Sequence, residues 1–73
     1  MEWSTSDVAE ILDRLGFKLA RRESHDTYVK RGHPRTVSVP RNRSVIAKGT
    51  LGAIWRQAGI NGAEASRIRG SKK

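Results

Sequence analysis

The chain has 73 residues, no cysteine, an apolar fraction of 36% and a formal net charge of +8. That length holds one small domain near the lower limit for a self-supporting core, and without cysteine neither disulfides nor a thiolate metal site can staple it. No stretch is apolar enough to cross a membrane and the N-terminus lacks the positive-then-apolar order of a signal peptide, so a soluble cytoplasmic protein is expected.

Residues 6–16 read as a helix, because Val8, Ile11, Leu12 and Leu15 fall at i, i+3, i+4 and i+7 and form one apolar stripe. Ser4, Thr5 and Ser6 are candidate N-caps, Asp7 and Glu10 put negative charge at the positive helix end, and Gly16 is a natural stop. Trp3 precedes this helix, placed to staple it or to pack on a partner.

Three short strands are expected next, at residues 17–22, 26–31 and 36–40. The first alternates Phe17, Leu19 and Arg21 against Lys18, Ala20 and Arg22. Gly32-His33-Pro34 is a turn signal that should join the other two as a hairpin, and Pro40 ends the third strand or sits on an edge. Phe17, Leu19, Tyr28, Val37 and Val39 form the expected inward set. Lys18, Ala20, Arg22, Thr27, Val29, Thr36 and Ser38 form the outward one. His25 has the parity of Thr27 and Val29 and should look away from the core, unless a bulge near Glu23 upsets the alternation.

Residues 41–47 read as a polar loop carrying Arg41 and Arg43. Residues 48–58 form a second helix with Leu51, Ile54, Trp55 and Ala58 on one stripe, stopped by Gly59. That stripe assigns Trp55 to the core rather than to stacking on a base, and parity does the same for Tyr28. Asn61 with Glu64 three positions on is a capping signal for a short last helix to about Arg69. The expected organisation is a single α+β domain over residues 1–69, of αβββα order with an extra helical turn, followed by a flexible basic tail at 70–73. Its three-stranded antiparallel sheet carries two helices on one face.

The charge is unevenly placed. Residues 1–20 hold four acids against two bases, a balance of −2, whereas residues 21–73 hold thirteen bases against three acids, a balance of +10. Such asymmetry favours one basic face and a polyanionic partner; the plainer alternative is a solvated surface that happens to be basic. His25 stands at the start of a strand in this basic part. Its side chain can act as acid or base near neutral pH, which raises the possibility that the chain cuts RNA.

RNA carries its own nucleophile, the ribose 2′-OH, so such an enzyme needs no serine, cysteine or metal. It needs a base, for which His25 suffices, and cations to stabilise the charge of a phosphorane-like transition state. Arg22, Lys30, Arg41 and Arg43 are candidate phosphate contacts. So is Lys48, in a Lys48-Gly49-Thr50 helix start whose free N–H groups could hold a phosphate, Thr50 being otherwise a simple cap. His33 reads as a turn residue. Two histidines eight positions apart, without cysteine or a carboxylate at ligand spacing, make a poor metal site, and no cofactor is called for.

From about residue 6 to 60 the chain resembles the HicA family of bacterial toxins, the small mRNA interferases of HicA–HicB toxin–antitoxin pairs. The resemblance is carried by Leu15-Gly16-Phe17 at the end of the first helix, Ser24-His25, Val37-Ser38-Val39-Pro40, Lys48-Gly49-Thr50-Leu51 and Gln57-Ala58-Gly59-Ile60. It implies a fold like that of double-stranded-RNA-binding domains and an endoribonuclease acting on mRNA. It also implies that His25 is catalytic and that a HicB-type antitoxin covers the active site; Ser24, beside His25, joins the candidate RNA contacts. Two departures stand out. Glu23-Ser24-His25-Asp26 replaces the family's common Gly-Ser-His-His, and two acids there could repel phosphate. Arg41-Asn42-Arg43 stands where the family often has a histidine. The competing readings are a catalytically silent RNA-binding module and a pure protein-interaction domain. Cleavage separates the first from a nuclease, and RNA affinity unaffected by loss of Arg22, Arg41 or Arg43 would mark the second.

Overall fold

The computed structural model describes residues 2–70. Its elements are α1 (Thr5–Arg14), β1 (Lys18–Arg22), β2 (His25–Val29), β3 (Val37–Pro40), α2 (Lys48–Ala58) and α3 (Gly62–Gly70). The expected tail therefore loses Gly70 to the last helix, and its remainder lies outside the described residues.

Of the three cap candidates for α1, Ser4 takes the role. Its hydroxyl accepts from the Asp7 amide at 3.2 Å while the Asp7 carboxylate accepts from the Ser4 amide at 3.0 Å, a reciprocal capping box. At the other end Gly16 adopts φ +96°, which lets the Phe17 amide donate to the Leu12 carbonyl at 2.9 Å and turns the Phe17 ring into the core.

The strands pair antiparallel in the order β1-β2-β3. Asp26 lies opposite Val39, and Tyr28 opposite Val37, so these four share the face that the helices cover. Val8, Ile11 and Leu12 of α1 and Ile54, Trp55 and Ala58 of α2 pack on that face around Phe17. Burying a side chain of this size is worth roughly 1.5–3 kcal/mol, so a dozen such residues must carry most of the fold's stability.

β1 departs from the expected alternation. Its register slips between Leu19 and Arg21, leaving Ala20 as a bulge. Arg21 thereby lies opposite Thr27 and joins the outer face, while Arg22 lies opposite Asp26 and joins the covered side. Both assignments reverse the expected ones. Leu19, expected in the core, is 41% exposed, because α1 and α2 seat against β3 and leave all five residues of the β1 edge in solvent. The β2–β3 hairpin is present, but its strands end early and residues 30–36 form a longer connection.

Trp3 is buried in an edge-to-face contact with Trp55, ring centroids 5.2 Å apart, so it belongs to the core. Asn61 caps α3 by accepting from the Glu64 amide at 2.8 Å. Arg69 ties that helix back to the N-terminal segment: its guanidinium lies 4.4 Å over Trp3, donates to the Glu2 carbonyl at 2.9 Å and meets Asp7 Oδ2 at 3.3 Å.

Candidate nucleic-acid interface

His25 opens β2 directly after the tight Glu23-Ser24 turn and pairs in register with Pro40. As its parity predicts, it lies on the face opposite Asp26 and Tyr28, and it is exposed. Nδ1 lies 3.5 Å from Ser24 Oγ, a long contact that leaves the ring accessible. Thr27 and Val29 follow on this outer face, and cross-strand pairing adds Lys18 beside Val29, and Arg21 and Ser38 flanking Thr27. The buried set of every helix belongs to the other side of the sheet, so this histidine-bearing surface is open among the described residues.

Arg21 is the residue that sequence reasoning missed. The sequence offers no signal for it: with two adjacent arginines, one takes the covered side whichever register β1 adopts.

The other expected contacts disperse. Lys30 folds back on the covered side with Nζ 5.5 Å over the Phe17 ring. Arg22 and Arg41 approach the buried Asp26 carboxylate, Nε to Oδ1 distances 3.6 and 3.5 Å. Arg41 also donates from Nη1 to the Glu23 carbonyl at 2.8 Å, which keeps it beside the His25 turn. The negative charge next to His25 in sequence is thus on the far side of the sheet, between two guanidiniums. Its effect reaches Tyr28, whose pKa is raised above the ordinary 10.0, chiefly by burial and then by the Asp26 charge.

Arg43 reaches a different border of the site. Asn42, at φ 55°, bends the loop so that the Arg43 amide donates to Thr5 Oγ1 at 2.9 Å and the Thr5 amide donates back to the Arg43 carbonyl at 2.9 Å. Arg43 and Thr50 then line a small cleft with Pro40, the register partner of His25. Thr50 is not the cap of α2. That position falls to Ala47, which offers no side-chain bond, and the first turn of α2 holds no acid. Lys48 lies on the helical side, along a groove with Trp3, Leu51 and Trp55.

His33 is more than a turn residue. Nε2 lies 2.8 Å from the Gln57 carbonyl, which can only accept, so Nε2 carries the proton. The ring stands edge-on to Phe17 with centroids 5.1 Å apart. Among the described residues no three metal-ligating side chains cluster, and no helix is long and apolar enough to cross a membrane.

A small basic α+β domain with one covered and one open sheet face, and an accessible histidine at the mouth of the first hairpin, is the class these features define. The family model described as the HicA toxin of bacterial toxin–antitoxin systems matches residues 5–60, and the chain belongs to that family. Among curated proteins no sequence matches it. Family membership makes the chain the toxin member of a toxin–antitoxin pair and supports an antitoxin protein as its partner.

Proposed function

We propose that the protein is a metal-independent endoribonuclease that acts on mRNA in the cytoplasm, with His25 as general base. The observation that carries this reading is an exposed histidine on the open sheet face in a chain of net charge +8. Its two supports are the family match and the cations that share or border that face, Lys18 and Arg21 on it and Arg43 at its margin.

In this mechanism His25 removes the proton from a ribose 2′-OH as O2′ attacks the adjacent phosphorus. The O2′–P bond forms, the P–O5′ bond breaks, and the departing O5′ takes a proton from the protonated imidazole or from water. Cationic side chains stabilise the charge that builds on the non-bridging oxygens. The products are a 2′,3′-cyclic phosphate and a 5′-hydroxyl. A HicB-type antitoxin silences the enzyme by covering the open face.

End-group analysis tests the chemistry. RNA incubated with the protein in EDTA should yield cyclic phosphate and 5′-hydroxyl termini, while DNA of the same sequence, which lacks the 2′-OH, stays intact. Products with 5′-phosphates, or cleavage abolished by EDTA, would refute this route. Salt-sensitive RNA binding without cleavage would make the protein a catalytically silent RNA-binding module.

A further inference from the structure

We propose that Asp26 is a positioning residue that acts through Arg41 to fix the turn carrying His25; the proposal rests on the functional reading above. A buried carboxylate is costly unless hydrogen-bonded and paired. The Asp26 side chain is 9% exposed, and among the described residues its buried Oδ1 has no hydrogen-bond partner, only the Nε atoms of Arg22 and Arg41 at 3.6 and 3.5 Å. As a stabilising ion pair this arrangement is poor; its consequence lies in what it orders.

The connections point to the catalytic turn. Arg41 follows Pro40, the register partner of His25, and its Nη1 donates to the Glu23 carbonyl at 2.8 Å. The Glu23 amide in turn donates to the His25 carbonyl at 3.2 Å. Asp26, Arg41 and Glu23 therefore form a clasp from the end of β3 across to the β1–β2 turn, closing around Ser24 and His25. Arg41 has a long side chain that water would otherwise solvate, and the fixed carboxylate holds its planar fork toward the turn. Asp26 itself lies on the face away from RNA, so it can set the histidine's position without touching substrate.

The test is a cycle of D26N, R41A and the double variant, assayed for RNA cleavage in EDTA beside the wild type and H25A, with folding checked by circular dichroism. Each single variant should lower kcat about 10- to 100-fold, the scale of a small misplacement of a catalytic group, with KM unchanged within about twofold. The double variant should be no slower than the worse single one, because both substitutions open the same clasp. Retained kcat with raised KM would make Arg41 an RNA contact and overturn the proposal. Losses that multiply would do so too.

If the wild type itself fails to cleave, the ribonuclease reading falls, and backbone ¹⁵N relaxation then decides the clasp alone. Ser24 and His25 amides that become mobile in both single variants support it; amides as ordered as in the wild type refute it. Should D26N not fold, R41A carries both measurements, its side chain being 36% exposed and outside the core.

Discussion

The two histidines sit on opposite sides of the same sheet and are held in opposite ways. His33 is half-buried, its ring against the edge of Phe17 and its Nε2 bound to the carbonyl of Gln57. His25 is exposed, with a single long contact to the neighbouring serine. One is consumed by structure and the other is left free for chemistry. The difference follows from the sheet: one face is covered by α1 and α2 and nearly all the large apolar side chains, while the other carries His25, Arg21, Lys18, Thr27, Ser38 and the exposed Val29. Outside the Asp26–Arg41 clasp, changes on the covered side should move stability, and changes on the open side should move RNA chemistry.

The largest effect on stability is expected at Phe17, which is 2% exposed and supports both the sheet and His33. Phe17→Ala should cost about 3–5 kcal/mol, a large share of what a domain of this size possesses, and a thermal melt would read it directly. His33→Ala should cost about 1–2 kcal/mol, from one hydrogen bond and one aromatic edge contact, while leaving RNA cleavage intact. A His33→Ala protein that melts like wild type but no longer cleaves would break the comparison.

Arg21→Ala sharpens it from the other side. Its melting temperature should be unchanged, whereas RNA affinity should fall several-fold and the slope of log affinity against log salt should shrink by about 0.7, the share of one phosphate contact on a single strand. The smallest effect belongs to Tyr28. Because the fold raises its pKa above 10.0, the folded state holds the phenolic proton more tightly than the unfolded chain does. The resulting stabilisation is complete below that pH and is lost as pH rises from there through the folded-state value. Alkaline melts should show this loss in the wild type and not in Tyr28→Phe.

Much of this was legible in the residues. The apolar stripes fixed α2 to the residue and α1 to within two residues at each end, since a helix with one wet and one dry face has little freedom in phase. The outward parity of His25 held because β2 is regular. What failed was β1, where one extra residue at Ala20 exchanged the faces of Arg21 and Arg22. An exposed edge strand has no core side chain to enforce its register, so its sequence carries little information about which face each residue takes. The scatter of Arg22, Lys30 and Lys48 away from His25 was likewise hidden. Long cationic side chains fold back onto whatever ring or carboxylate lies near, and that depends on tertiary neighbours.

The central claim is that the exposed histidine does the chemistry, and one assay addresses it most directly. Wild type and His25→Ala, both shown to be folded, are incubated with a mixed RNA substrate in EDTA. Loss of general base catalysis should slow cleavage by about 10²–10⁴-fold with no change in melting temperature. Equal cleavage by the two proteins would contradict the account, placing the active site away from His25.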